Sequence, residues 1–330
     1  MILFDGQNIL KQNSMKMKVN KEADMMIGKI CGTGSSIPVK IMDNDNLSNM
    51  VDTNDAWIRE RTGVEKRHIA ESESTVSMAV EAGRRALAQT GIRPEELDMI
   101  VVSTMSPDAV LPCTACEVQK AIGAEGAVCF DLQAACTGFV FAYNTAQAYI
   151  QSNMCRTVLL IGSERLSRLV DWTDRGTCIL FGDGAGAAVL KAAEGRAYLP
   201  VSHSDGKKGE ALTCDRYIHM DGRAVFQFAV TRVPEVIREV LTKNELIMDD
   251  IDYFVLHQAN RRIVEAVAKR LRQPIEKFPM NLQEYGNTSS ASIPILLDEM
   301  NRSGKLKKGQ KLVVAGFGAG LSWGASIVEW

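Results

Sequence analysis

The chain repeats itself. Leu97–Val102 (LDMIVV) resembles Ile251–Leu256 (IDYFVL), and Thr157–Gly162 (TVLLIG) resembles Lys311–Gly316 (KLVVAG), each pair 154 residues apart. A helical segment precedes the first strand of each half, Ser77–Thr90 and Thr231–Asn244, with Leu87 over Leu241 at the same offset. One offset shared by three elements marks a duplication. Each half reads helix, buried strand, active loop, helix, buried strand. The repeated runs are apolar without alternation, as strands covered by helices on both faces are. Two glycine-rich segments, 181–190 (FGDGAGAAVL) and 316–330 (GFGAGLSWGASIVEW), close the halves. Neither follows an early strand and leads into a helix with an acidic residue about 20 positions on, as a dinucleotide site requires. Their glycines suit tight turns and close backbone approach. The expected architecture is a duplicated α/β fold, two sheets with shared and flanking helix layers. Its halves are 26–196 and 197–330, after a polar extension at 1–25.

Composition narrows the function. The 330 residues allow one large domain or two ordinary ones. A net charge of −2 gives no basic field for nucleic acid. No apolar run approaches the ~18 residues of a membrane span, and the N-terminus lacks the apolar core and cleavage site of a signal peptide. The eight cysteines are scattered, which points to free thiols in a reducing cytoplasm. Cys113-Thr-Ala-Cys116 is the one CxxC. Zinc would want a second pair or a nearby histidine. A redox pair is one reading, and small residues opening a helix is the other.

In such a fold, loops after corresponding strands meet at the pseudo-dyad. Cys136, in FDLQAACTGF, begins a helix in the first half, and position 290, in NTSSAS, begins its counterpart. LHQAN (256–260) ends the strand that pairs with VSTMS (102–106). This brings a Cys, a His and an Asn to one focus. A thiol at a helix N-terminus feels the positive dipole end, which favours thiolate, and unpaired N–H groups there suit an oxyanion. A small buried cysteine also needs no function. His257 sits at the C-terminal end of its strand, where open α/β sheets place reactive groups; His68, His203 and His219 read as structural. Asn287 lies in a helix N-cap region, but Thr288 or Ser289 can supply that cap, leaving the amide to donate to a substrate oxygen. The same residue types fit a cysteine protease, in which His deprotonates Cys and Asn orients His.

The motifs AACTGF, DRGTCILFGDGAGAAVL, HQANRRI, YGNTSSASIP and GFGAGLSWGASIV, with VDTNDAWIRERTGVEKRHIA near the start, resemble the β-ketoacyl-acyl-carrier-protein synthase III family of the thiolase-like superfamily. The resemblance runs from about Met26 to Trp330. It implies a five-layer α-β-α-β-α fold of two pseudo-dyad-related halves. It implies that Cys136 takes an acyl group from acyl-CoA. His257 and Asn287 then bind the malonyl thioester oxygen and stabilise the enolate left by decarboxylation, and the N–H groups of Cys136 and Ala319 form the oxyanion hole. No metal or redox cofactor is implied. Thiolases carry a second cysteine on the last glycine-rich loop, and here Gly316–Ser322 has none. Related elongating synthases use two histidines, which Asn287 argues against.

The resemblance also places Trp57 on the adenine of CoA with Arg175 on the other face, and Arg61 on phosphate. Gly222 and Asn260 would line the pantetheine tunnel. Arg223 stands where the family commonly has Asn, a departure at the pantetheine contact. The acidic carrier protein, charged with malonyl, would dock on Gln258, Ala259, Asn260, Arg261 and Arg262, within a basic segment that also holds Lys269, Arg270 and Arg272. Arg262 and Lys269 share a helix face. Leu111 would reach across a homodimer interface to close the acyl pocket, with Phe317 also lining it. The reading is the initiating condensing enzyme of type II fatty-acid synthesis. Its alternatives are a relative in specialised, polyketide-type metabolism and a non-catalytic partner, the latter opposed by the retained Cys, His and Asn.

Overall fold

The computed structural model describes residues 25–330. The expected extension at 1–25 lies outside the described residues except for Met25, the first residue of β1. The first half contains β1 (Met25–Ser36), α1 (Thr75–Ala88), β2 (Met99–Ser103), α2 (Thr114–Ile122), β3 (Val128–Leu132), α3 (Gly138–Gln151), β4 (Thr157–Glu164) and β5 (Gly184–Gly195). Its strands form one sheet in the order β1-β5-β4-β2-β3. Strand β2 runs parallel to β3 and β4, and β5 antiparallel to β4 and β1. The second half contains β6 (Val201–Ser204), α4 (Gly222–Lys243), β7 (Tyr253–Leu256), α5 (Arg261–Leu271), α6 (Ser292–Arg302), β8 (Lys311–Gly318) and β9 (Ser322–Glu329). Here the order is β7-β8-β9-β6, with β7 parallel to β8 and β9 antiparallel to both neighbours.

Burial explains the lack of alternation in the repeated strands. Leu159 and Ile161 of β4, with Ile100 and Val102 of β2, pack under α1 and α2. Val158 and Leu160, with Met99 and Val101, point the other way, onto Phe139, Val140 and Ile150 of α3 and Ile293 and Leu297 of α6. The same central cluster takes in Val255, Leu312 and Val314 of the second sheet. Its outer face, through Phe254, Leu256 and Val313, is covered by α4 and α5. The layers are therefore α1/α2, sheet, α3/α6, sheet, α4/α5. Strands buried on both faces read as near-continuous apolar runs.

The duplication keeps its register through the centre. Met99 and Tyr253, Thr157 and Lys311, and Gly138 and Ser292 each begin matching elements 154 residues apart. Three departures carry consequences. Helix α4 starts at Gly222, well before the expected Thr231, because Asp221 caps it by accepting from the Arg223 and Ala224 N–H groups. At the position equivalent to β3 the second half has a short helix, Leu282–Tyr285, so its sheet is one strand smaller. Between β4 and β5 the first half carries residues 165–183, where β8 and β9 are joined by only 319–321. Among the described residues no helix is long and apolar enough to cross a membrane.

Two glycines at the repeat positions let the halves interlock. A Cβ on Gly162 of β4 would land against the Ser290 carbonyl oxygen. One on Gly316 of β8 would sit 3.0 Å from Thr137 Cα. Gly162→Ala is therefore expected to lower stability in urea unfolding by about 1–3 kcal/mol. Gly126→Ala, at a site with nothing within 4 Å, should stay within about 0.5 kcal/mol of the parent. Equal effects at the two sites would refute the interlock.

Candidate active site

Both central helices begin the same way. A 3-10 turn precedes each, Ala135–Thr137 before α3 and Ser289–Ala291 before α6. The first residue of each turn is left-handed, Ala135 at φ 45° and Ser289 at φ 49°. Cys136 is thus held in a tight turn ahead of α3. Thr137 Oγ1 bonds the Ser322 carbonyl oxygen (3.1 Å) and hydroxyl (2.9 Å), tying that turn to β9. Gly318 lets the end of β8 approach closely, since a Cβ there would lie 2.9 Å from Cys136 Cβ. The Cys136 N–H lies beside its own sulfur. Like the N–H of Ala319, it donates to no other backbone acceptor among the described residues.

The expectation of a resting thiolate is corrected. Burial pushes the Cys136 thiol up to about 12, the Glu164 carboxyl adds to the rise, and the Ser289 hydroxyl opposes it. Helix-end dipoles are modest in magnitude, and full desolvation outweighs one. Cys136 is held as a thiol.

His257 follows β7, and its N–H donates to the Ala315 carbonyl oxygen at 2.9 Å. Burial lowers its imidazole to about 3, so the ring is neutral. Its Nδ1 lies 2.8 Å from Ser292 Oγ, which also accepts the Gln258 N–H at 3.3 Å. A hydroxyl has one proton to give. Among the described residues His257 Nδ1 is the acceptor placed to take it. That assigns the ring proton to Nε2, where it can be donated. Phe317 meets the ring edge-on at 5.2 Å between centroids.

Asn287 is fixed from both sides. Its N–H donates to the Leu180 carbonyl (2.8 Å), its own carbonyl accepts from Gly182 (3.1 Å), and Oδ1 accepts the Ser289 N–H at 2.9 Å. The amide oxygen is thereby engaged, and the Nδ2 hydrogens are left for a substrate. The protease geometry does not form, because Asn287 bonds Ser289 and His257 is oriented by Ser292.

Cys136, His257 and Asn287 line one cavity of about 950 Å³, together with Phe317 and Ala319. Arg61, Gly222, Arg223, Ala259, Asn260 and Arg262 line it as well. Trp57, on the helix Asp55–Thr62, has the guanidinium of Arg61 at 4.7 Å from its ring centroid and that of Arg175 at 4.9 Å. Both cations lie over the indole ring. Asn260 caps α5, accepting from the Arg262 N–H (2.9 Å), and its amide donates to the Arg61 carbonyl (3.0 Å), bridging the Trp57 helix to α5.

Gln258 is a second correction. It is buried, its amide donates to the Leu256 carbonyl (2.8 Å), and its oxygen accepts the Asn281 N–H (3.1 Å). A side chain with its polar atoms engaged in the interior cannot meet a docking protein. Ala259 faces the cavity; Arg261 and Arg262 are exposed, with Arg262 over the Phe226 ring at 5.3 Å. Leu111 is 83% exposed and does not line this chain's own cavity.

Sequence reasoning missed Ser292 and Glu164. Glu164 ends the apolar strand β4 and is fully buried. It accepts from Ser106 Oγ (2.6 Å), Thr104 Oγ1 (3.2 Å) and the Met105 N–H (3.1 Å). Ser290 Oγ is 2.7 Å from Glu164 and 2.9 Å from the Ser103 carbonyl. Its single proton can serve only one of them, and both contacts are satisfied when the carboxyl carries a proton. Burial raises the Glu164 pKa in the same direction. An acid ending an apolar strand, and a run of hydroxyls in NTSSAS, were the available signals.

A family model described as 3-oxoacyl-[acyl-carrier-protein] synthase III matches residues 130–206, and its C-terminal counterpart matches 241–330. A crystal structure of 3-oxoacyl-[acyl-carrier-protein] synthase III from Aquifex aeolicus superposes with a TM-score of 0.90 at 43% identity, covering 92% of this chain and 100% of that one. The priming β-ketosynthase of the R1128 polyketide pathway also gives 0.90, at 35% identity, covering 93% and 97%. A β-ketoacyl-[acyl-carrier-protein] synthase III of Clostridium acetobutylicum is 46% identical over 319 residues, covering 92% of this chain and 98% of that protein. Likeness of that degree along nearly the whole fold, over a cavity holding Cys136, His257 and Asn287, means that the chain belongs to the 3-oxoacyl-[acyl-carrier-protein] synthase III family.

Proposed function

We propose that Cys136, His257 and Asn287 carry out the initiating condensation of fatty-acid synthesis in this acyltransferase. The convergence of the three on one cavity supports this most directly. Cys136 Sγ attacks the thioester carbon of an acyl-CoA. The thiol proton leaves with the CoA sulfur, and the N–H groups of Cys136 and Ala319 hold the transient oxyanion. A malonyl thioester on the carrier protein then loses CO2. The electron pair left behind becomes an enolate, whose oxygen takes hydrogen bonds from His257 Nε2–H and Asn287 Nδ2. Both donors are neutral before and after this step, so the developing charge is stabilised by fixed dipoles and no proton need move. The enolate carbon attacks the acyl-cysteine and expels the Cys136 thiolate, which recovers a proton. The products are 3-oxoacyl carrier protein, CO2 and CoA.

Several further assignments belong to the same reading. Acyl-CoA is a substrate bound through Trp57, Arg61, Arg175, Gly222 and Asn260. The carrier protein docks at Arg261 and Arg262, beside the cavity-lining Ala259 and Asn260. Strand β3 is an edge of the first sheet, and Leu111 is exposed. Both fit a homodimer in which Leu111 enters the partner's acyl pocket. The free cysteines fit a cytoplasmic setting. The polyketide relative is less similar, 35% against 46%, which favours primary metabolism.

Brief incubation with acetyl-CoA or isobutyryl-CoA should leave one acyl adduct on the intact protein that Cys136→Ala lacks, and the better donor identifies the primer. No adduct from either would overturn the acyl-cysteine. Ser292→Ala should slow malonyl decarboxylation about tenfold, or about 1.4 kcal/mol, while sparing the adduct. In the parent, decarboxylation should show no inflection near 6.5, the ordinary histidine value, because the His257 imidazole stays neutral until about 3. The same group costs stability as pH falls from 6.5 towards 3, since only the unfolded chain takes up the proton. Equal loss of both half-reactions in Ser292→Ala would mean a structural role alone. Arg262→Glu should raise the KM for malonyl carrier protein about tenfold; an unchanged KM would remove Arg262 from the docking surface.

A further inference from the structure

The CxxC segment has no part in the chemistry above. Cys113 is the N-cap of α2 and Cys116 lies in its first turn. Positions three apart on a helix share a face, and here the two sulfurs are 3.4 Å from one another. Neither thiol is needed to cap the helix. The Asp131 carboxylate, from β3, does that work, accepting the Thr114 and Ala115 N–H groups at 2.8 Å each. Both cysteines are half-buried in this chain, whereas Cys136 is buried. A disulfide needs the sulfurs to close to about 2.05 Å, a short movement from contact, and two-residue spacing is that of thiol–disulfide motifs. The Cys113 thiol, burial and the Asp131 carboxylate raise the Cys116 pKa, so closure rests on the sulfur contact and not on a resting thiolate. A third thiol, Cys129 of β3, packs on the same core cluster as Cys113. Among the described residues no group of His, Cys, Asp and Glu here is suited to a metal.

We propose that Cys113 and Cys116 form a redox-active pair that closes to an intramolecular disulfide, a modification site separate from Cys136. The oxidant is a low-molecular-weight disulfide such as oxidised glutathione. One cysteine thiolate attacks it, forming a mixed disulfide and releasing one glutathione thiolate. The second cysteine thiolate attacks the protein sulfur of that bond and releases the other. Two electrons pass to glutathione, and the two protein thiol protons end on the two glutathione thiols. Excess small thiol reverses the sequence.

The test uses the whole protein, equilibrated in glutathione redox buffers, then alkylated and digested with trypsin. Cleavage after Arg85 and Lys120, with the Arg93–Pro94 bond resistant, gives peptide 86–120, which holds Cys113 and Cys116 and no other cysteine. The expected product is this peptide unalkylated and lighter by two hydrogens, restored by dithiothreitol. It should appear at a glutathione ratio about tenfold more reducing than the one that modifies the exposed Cys31 and Cys214. Cys113→Ser should abolish the cyclised peptide and leave Cys116 alkylated or singly glutathionylated. Full alkylation of both cysteines at ratios that modify Cys31 and Cys214 would overturn the proposal. So would a peptide joining Cys116 to Cys129.

Discussion

The site depends on a reciprocal close contact between the two halves. Gly162, on a strand of the first half, accepts the turn at Ser290 from the second. Gly316, on a strand of the second half, accepts the turn at Thr137 from the first. Each helix start is therefore seated on the other half's sheet, and any side chain at either glycine would push the turns apart. Cys136 lies within one of these turns, and Asn287 just precedes the other. Their mutual placement is a property of the interlocked core and not of flexible loops, which suits chemistry that needs donors aimed at a fixed point.

Burial then sets the charge of the site. Cys136 is held as a thiol, His257 as a neutral imidazole, and Glu164 towards its neutral acid. The formal cations that line the cavity are Arg61, Arg223 and Arg262, and all three are exposed. Under the proposed function an enolate formed among these neutral donors would gain hydrogen bonds without displacing a counter-ion. A charged histidine there would instead attract the malonyl carboxylate and stabilise the ground state that must lose CO2. Under the proposed function the basic rim would serve a different need, the phosphates and acidic partner of the substrates.

Much of this was legible in the sequence because it follows from period and register. Apolar strands without alternation gave two-faced burial, and the single offset gave the pairing of β2 with β7 and β4 with β8. Placing Cys136 beside position 290 gave the site. What was not legible depends on competition between effects, or on contacts between distant segments. The helix end at Cys136 argues for thiolate, yet desolvation wins, and only the packed structure shows how complete it is. HQANRR reads as a polar docking strip, yet Gln258 turns inward to brace Leu256 and Asn281. The stacking of Arg61 and Arg175 on Trp57 joins residues far apart in sequence. The inserted 165–183 segment, which carries Arg175, breaks the offset and so was invisible to it.

The equivalences across the pseudo-dyad show how a duplicated fold came to hold one site. Position 103 corresponds to 257, and 138 to 292, so the Ser103–Gly138 pair of the first half answers to His257–Ser292 of the second. Gly138 leaves room for the Ser103 hydroxyl, whereas Ser292 supplies the hydroxyl that orients His257. Cys136 answers to Ser290, which bonds Glu164 instead of a substrate. Glu164 answers to Gly318, whose missing side chain lets β8 approach Cys136. At each pair one half keeps a reactive or positioning group and the other keeps what makes space for it or buttresses it. Two copies of the full set would place like groups around one axis and fill the cavity. Divergence into complementary halves leaves a thiol from one, an imidazole and an amide from the other, and an open volume between them.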